Sequence, residues 1–361
     1  MKQIKEFLWP LIGLAAVVVS GYLLWKELRG VSMADLGTSL GAIPHHRFLL
    51  AGASTLVAYA ALAWYDRIAL LHLGVKHISW LFVSVCSFTT YALSHNIGAS
   101  VFSGALVRYR AYTAKGLSAP QVAVLVALCS FTFGLGTLLL GGFVLTAQPD
   151  LLLRLEGLLP PVLTNPTTAR VIGLALLGAV ALYVVGSVMH LRPLNIRKFK
   201  LEYPRPQVMV RQLVAAPLEL LGAAGIIYFA LPEAGNPGFM VVLAVFLASF
   251  SAALVSHAPG GLGVFEIIFL TAMPDIPKVE VLAALLVFRL FYLLIPFALA
   301  IVVVLLFERA RLMRAWHARG LQVPPSVPAP PLAGPGVGVS ATPAPAPVKG
   351  TAVGAETAGD R

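Results

Sequence analysis

Apolar runs long enough to cross a bilayer alternate along this chain with short polar turns, and the runs are of two kinds. A helix rises 1.5 Å per residue, so a hydrocarbon core of about 30 Å requires about 20 apolar residues. Uninterrupted runs of that order lie at 8–25, 47–65, 121–146, 170–189, 208–231 and 279–306, and each predicts a spanning helix. Two further runs, 80–107 and 240–273, are broken near the middle by polar and helix-breaking residues. The first break reads Ser94-His95-Asn96-Ile97-Gly98-Ala99-Ser100, and the second reads Ser256-His257-Ala258-Pro259-Gly260-Gly261-Leu262-Gly263. The two are alike, SHNIGASVF against SHAPGGLGVF. Gly and Pro at such a break end a helix and release backbone groups, which a bilayer tolerates only where protein or a water-filled cavity supplies partners. Each leg is nearer half a span than a full one. Both stretches are therefore expected to be re-entrant hairpins with a polar elbow near the membrane interior.

Charge placement tests that expectation. The loop 190–211 carries Arg192, Arg197, Lys198, Lys200, Arg205 and Arg211 against Glu202, while 232–238 carries only Glu233. After the last run come Arg309, Arg311, Arg314 and Arg319. Basic loops stay cytoplasmic. If both broken stretches were single crossings, 190–211 and Arg108/Arg110 would fall outside when the N-terminus is inside. If each returns to its own side, every basic cluster falls inside, so the charges favour hairpins, or equivalently two tightly paired helices. The order helix, helix, hairpin, helix then occurs twice, over about 8–146 and 170–306, in opposite orientations. That is an inverted-topology repeat, in which sites lie near the midplane at the broken segments. Chance likeness of two Gly-containing helices is the alternative, and segment order and charge both favour the repeat. The fold class expected is an all-α polytopic membrane protein with about six full spans and two broken hairpins.

Composition agrees. Hydrophobic residues make up 58% and charged residues 11% of the 361, against about 25% charged in a soluble domain, so a water-facing surface could not be covered. Mean hydropathy is +0.87. The net charge of +11 is spread between apolar runs, which points to anionic lipid headgroups rather than nucleic acid. Cys86 and Cys129 lie inside apolar runs without metal-ligand spacing, so neither a disulfide nor a metal site is expected. Met1-Lys2-Gln3-Ile4-Lys5 before the first run resembles a signal peptide. The run is of about full spanning length with no cleavage site after it, so an uncleaved first helix is expected. Residues 28–46 and 66–79 read as interfacial segments and 148–168 as an outside loop. Trp25, Trp64 and Trp80 read as interface anchors. The membrane domain is expected over 1–310. A cytoplasmic basic segment and a disordered Pro/Ala/Gly-rich tail are expected over 311–361.

Ionisable groups within spans are costly and hence candidates for function. Glu219 and Arg289 lie in spans, Glu266 follows the second elbow, and His95 and His257 sit at the two elbows beside Ser94, Asn96 and Ser256. One reading gathers them around a polar cavity, with Arg289 on a lipid phosphate and the carboxylates on a cationic headgroup or a proton. The other makes Arg289 an internal salt bridge with Glu219 or Glu266, and each histidine a partner for a freed carbonyl. Gly260, Gly261 and Gly263 allow close backbone approach, and N–H groups at a half-helix start can bind an anion. Arg108 and Arg110 suit either a phosphate at the cytoplasmic mouth or ordinary flanking charge. Gly134, Gly136, Gly141 and Gly142 suit close helix packing. No Gly-x-Ser-x-Gly elbow, His-Glu-x-x-His, Walker loop or Asp-rich motif occurs, so no catalytic residue, metal or cofactor is assigned and an enzyme is not expected.

The segments Pro259-Gly260-Gly261-Leu262-Gly263-Val264-Phe265-Glu266, Phe288-Arg289-Leu290-Phe291-Tyr292-Leu293-Leu294-Ile295-Pro296 and Ser94 to Arg110 resemble the membrane region of lysylphosphatidylglycerol synthetases. That family includes stand-alone relatives, one of them associated with hopanoid biosynthesis. The resemblance spans roughly 5–310. In full-length members this region is implicated in moving the aminoacylated lipid to the outer leaflet, while a soluble C-terminal domain makes the lipid; the short Pro/Ala/Gly-rich tail is not expected to form that domain. The resemblance implies a lipid transporter or flippase of the bacterial inner membrane with both termini cytoplasmic. The lipid would be an anionic or aminoacylated phospholipid or an isoprenoid-type lipid. A non-catalytic subunit assisting a lipid-synthesising enzyme is the alternative, and a membrane-embedded transferase using Glu266 or His257 as base is the third. A homodimer stays open.

Overall fold

The computed structural model describes residues 32–97, 100–189, 194–196, 199–201, 204–256 and 261–320. Two compact units are distinguished, Met1–Ala310 and Arg311–Arg361, and of the second, residues 311–320 are helical. The expected span 8–25 and the tail 322–361 lie outside the described residues.

Among the described residues of the first unit, the regular elements are helices apart from one antiparallel pair, β1 (Leu194–Ile196) and β2 (Phe199–Leu201). Helix α1 covers Met33–Ala42, α2 His45–His72, α3 Trp80–Ile97, α4 Ser100–Thr113 and α5 Ala119–Ala147. A tight 3₁₀ strap, Pro149–Leu155, leads to α6 (Pro166–Val188), α7 (Pro206–Ala230), α8 (Phe239–Ser256) and α9 (Val264–Ala272). Helix α10 (Lys278–Phe288) passes through a π-helical turn, Arg289–Leu294, into α11 (Ile295–Gly320). Local chemistry marks the starts. Ser32 accepts from the Ala34 N–H at 3.1 Å, Gln121 reaches back to the Ser118 N–H at 2.9 Å, and Asn165 accepts from the Thr167 N–H at 2.9 Å.

Among the described residues six helical stretches are long and apolar enough to cross a membrane: His45–His72, Ala119–Ala147, Pro166–Val188, Pro206–Ala230, Phe239–Ser256 and Lys278–Phe307. Five match expected spans. The sixth, α8, differs from expectation: the first leg of the second broken stretch is a helix of 18 residues rather than half a span. Its partner α3 is as long but carries Ser84, Ser87, Thr89, Thr90, Ser94, His95 and Asn96. The segment 66–79 also differs from an interfacial reading. Helix α2 continues to His72, with Asp66, Ile68, Ala69 and Leu70 buried.

At the centre α2 runs antiparallel to α7 and makes the most extensive pairing in the molecule. Small residues permit it: a Cβ on Gly222 would fall 2.9 Å from the Ala58 nitrogen. Across α5 and α7, a Cβ on Gly136 would meet the Ala216 carbonyl at 2.8 Å. Arg47 at the start of α2 donates to the Phe229 and Tyr228 carbonyls at 2.8 and 3.0 Å, so a cation meets the exposed carbonyls at the end of α7.

Around this axis the two halves pack alike. α2 packs on α3 as α7 does on α8; α3 on α4 as α8 on α9; α4 on α5 as α9 on α10; and α2 on α5 as α7 on α10. Between halves, α5 meets α7 and α8, and the π turn meets α2 and α3. Each broken stretch folds back on itself. His77 Nε2 lies 3.1 Å from the Lys115 carbonyl, joining the two ends of the first. A Cβ on Gly235 would lie 3.5 Å from the Asp275 carbonyl, joining the two ends of the second. The second pair of ends shares a face with Arg47, whose Nη1 is 3.0 Å from Glu233, and with the strap, whose Arg154 Nη1 is 2.8 Å from Asp275. The first pair lies at the opposite end of α2.

Candidate functional site

Where the second broken stretch re-forms as α9, Gly261 and Gly263 have φ of 65° and 80°, a region L side chains avoid. The Gly263 N–H donates to Glu266 Oε2 at 2.8 Å, so the half-helix start is capped by its own third residue. An incoming anion would have to displace that carboxylate. Of the two carboxylates weighed as partner for Arg289, Glu266 is the one engaged. Arg289 Nε donates to Oε1 at 2.8 Å, and Nη2 donates to the same oxygen.

Arg289 opens the π turn, and the reason for that turn follows seven residues on. Pro296 has no N–H to return to the Tyr292 carbonyl, so the ordinary helical ladder cannot continue. Side chains of the other half occupy the exposed carbonyls. The Tyr59 hydroxyl donates to the Tyr292 carbonyl at 2.9 Å, and Asn96 Nδ2 donates to the Leu293 carbonyl at 3.1 Å and to its own Ala92 carbonyl at 2.8 Å. The Tyr292 hydroxyl in turn donates to Glu219 Oε1 at 2.6 Å. The His95 ring stacks on Tyr292 with centroids 5.3 Å apart. Phe265, Phe288 and Tyr292 continue the stack at 5.5 and 5.2 Å. One aromatic column thus runs from α9 through the π turn to α3. Among the described residues, Glu219 Oε2 and His95 Nδ1 are buried without a hydrogen-bond partner.

A second polar cluster lies within the first half. Arg108 donates through Nη2 to Asp66 Oδ1 at 2.7 Å and through Nε to both carboxylate oxygens at 3.2 Å. The Tyr112 hydroxyl donates to Oδ2 at 2.8 Å, the Cys129 thiol lies 3.4 Å from Oδ1, and the guanidinium sits 4.7 Å over the Tyr91 ring. The Arg108 side chain is 5% exposed against 16% for Arg289. Arg108 therefore lies in the protein interior with a carboxylate in place of a mouth phosphate, and Arg110 is exposed two residues on. Ser94 donates to the Thr90 carbonyl at 2.6 Å and Ser256 to the Ala253 carbonyl at 3.0 Å. Gly104 faces Ser94, whose Oγ would be 2.7 Å from a Cβ there. His257 and Gly260 lie outside the described residues. No cluster of three metal-ligating side chains occurs among the described residues.

The structure therefore brings His95, Asn96, Glu219, Glu266 and Arg289 onto one π turn, directly or through Tyr292. Sequence reasoning missed Tyr292, Tyr59 and Asp66. The signal for Asp66 was available: apolar residues resume after it at Ile68-Ala69-Leu70-Leu71, and it lies six residues before the end of α2 at His72. The signal for Tyr292 was its place four residues before Pro296 and three after Arg289.

Comparison with known proteins places residues 12–300 in a match to the family described as lysylphosphatidylglycerol synthase TM region. The uncharacterised protein slr0712 of Synechocystis sp. is 29% identical over 298 residues, 82% of this chain and 90% of that one. The inner membrane protein YbhN of Escherichia coli is 29% identical over 301 residues, 81% of this chain and 86% of that one. A phosphatidylglycerol lysyltransferase of Staphylococcus haemolyticus is 30% identical over 92 residues, 25% of this chain and 11% of that one.

Proposed function

The chain belongs to the lysylphosphatidylglycerol synthase transmembrane-region family, and on that premise we propose that it moves a phospholipid between the leaflets of a bacterial inner membrane as a transporter rather than an enzyme. The observation that carries this reading is the Arg289–Glu266 pair on a π turn held by both halves of the molecule. A lipid phosphate has the charge and the two-oxygen geometry to replace Glu266 on the guanidinium. Displaced, Glu266 would release the Gly263 N–H at the start of α9, a donor suited to the same anion. Arg289 is accessible enough for that exchange, whereas Arg108 is sealed beside Asp66. The two hairpins enter as re-entrant elements from opposite faces, with the basic end of α2 and α7 cytoplasmic by the positive-inside rule.

The family description and the lysyltransferase relative favour an anionic or aminoacylated phospholipid as substrate. They also favour a second reading, a membrane subunit assisting a lipid-modifying enzyme. Proteoliposomes with labelled phosphatidylglycerol, lysylphosphatidylglycerol or an isoprenoid phosphate separate the two. Translocation above empty vesicles is expected for at least one lipid, and Arg289→Ala is expected to slow it roughly tenfold, since a charged hydrogen bond is worth about 1.5–3 kcal/mol. Rates equal to empty vesicles for every lipid would sink the transporter reading.

A further inference from the structure

Among the described residues three carboxylates are buried in the helix bundle, and they differ in what stands opposite them. Asp66 accepts from Arg108, and Glu266 accepts from Arg289. Among the described residues, Glu219 accepts from the Tyr292 hydroxyl alone, and its second oxygen has no partner. It is 1% exposed.

Among the described residues, the elements packed against α7 supply no cation to it. On α2 the titratable groups facing Glu219 are Tyr59 and Tyr65, whose hydroxyls donate to the Tyr292 and Ala216 carbonyls. On α5 Cys129 is directed at Asp66, and on α6 Tyr183 donates to Gln212 Oε1 at 2.6 Å. Helix α8, Phe239–Ser256, contains no ionisable residue. Beyond α10 stand Tyr292, already bound to Glu219, and Arg289, held by Glu266. His95 stacks on the far side of Tyr292, buried with an unpartnered ring nitrogen of its own.

An ionised carboxylate in a membrane interior without a cation or several donors is not sustained, because desolvation outweighs what a single hydroxyl returns. Among the described residues, Asp66 and Glu266 each face an arginine, whereas Glu219 faces none and is neutral only when it carries a proton. We propose that Glu219 is a proton-binding site whose loading and release are coupled to lipid movement, so that a proton gradient drives the transporter; this rests on the translocation reading above. The π turn supplies the coupling. Arg289 and Tyr292 lie three residues apart on it, so lipid phosphate replacing Glu266 on Arg289 shifts the segment whose hydroxyl holds Glu219. When that bond opens toward water, the carboxylic acid releases its proton to the aqueous side, and it regains one from the other side before the turn resets.

Two measurements test this on the full chain. Infrared spectroscopy in nanodiscs at neutral pH is expected to show a carboxylic-acid C=O band that Glu219→Gln removes; its absence from the unmodified protein overturns the proposal. Should the Gln variant not fold, Tyr292→Phe is expected to move the band by deleting the hydrogen bond to Oε1, and an unmoved band overturns the assignment. In proteoliposomes with phosphatidylglycerol or lysylphosphatidylglycerol probes, an imposed pH gradient is expected to accelerate transport severalfold in the unmodified protein, and Glu219→Gln is expected to abolish the acceleration. Transport that proceeds at one rate with and without the gradient overturns the coupling while leaving lipid translocation standing. Absence of transport for every probe removes the translocation reading and the coupling with it.

Discussion

Asp66 and Arg108 show why a charged side chain inside a membrane bundle is not automatically a ligand site. Four helices converge on the Asp66 carboxylate: α2 carries it, α4 brings Arg108 and Tyr112, α5 brings the Cys129 thiol, and α3 places Tyr91 against the guanidinium. Both oxygens are satisfied, so the pair ties helices together. Removing one partner leaves a buried charge uncompensated, which costs about 3–5 kcal/mol. Asp66→Asn is therefore expected to lower the unfolding temperature of the detergent-solubilised protein sharply. Combining it with Arg108→Met is expected to cost less than the two changes summed, a coupling that a double-mutant cycle reads directly. Costs that simply add would show that the pair does not act as a unit. Arg289 is the contrast: it also has a carboxylate, but its side chain is 16% exposed against 5% for Arg108.

Among the elements, the π turn depends most on a single residue. Pro296 withdraws the donor that the Tyr292 carbonyl would take, and Tyr59 supplies one from the other half. Tyr59→Phe should then cost about 1 kcal/mol in the unmodified background. In a Pro296→Ala background, where the ladder regains its N–H, the same change should cost measurably less. Equal costs in both backgrounds, by denaturant unfolding, would detach Tyr59 from the proline. The α2–α7 axis depends instead on the absence of side chains. Gly222→Leu would drive atoms into the Ala58 backbone, where a Cβ already falls 2.9 Å away. Overpacking against backbone typically costs about 1–3 kcal/mol, and here the Leu variant is expected to be visibly less stable by thermal unfolding.

For the whole molecule, the testable feature is that each broken stretch begins and ends on one face. Single cysteines at His77 and Lys115, in a background with buried Cys86 and Cys129 replaced by Ala, are expected to react with a membrane-impermeant thiol reagent from the same side. Cysteines at Glu233 and Asp275 should react from the opposite side. Labelling of positions 77 and 115 from different sides would break the hairpin and with it the two-fold arrangement of halves.

Much of this architecture is legible in the chain because a bilayer imposes length and charge rules that act locally. A run such as 121–146 or 208–231 must be a helix, since no other backbone satisfies its own polar groups in hydrocarbon. The Gly-rich breaks announce themselves for the same reason, as do the membrane class and the family resemblance. The length of α8 is not legible, because a Gly-rich break marks where a helix stops and not how many of the apolar residues before it are helical, here 18. Nor were the pairings. Arg289 had two carboxylates within sequence reach of plausibility, and only packing selected Glu266. Arg108 looked like a flanking charge until α2, continuing to His72, placed Asp66 under it. Tyr292 carried no signal as an ionisable candidate, yet it joins Glu219, His95 and Tyr59, because a side chain's partners are set by which helix faces meet, and helix faces meet through contacts distant in sequence.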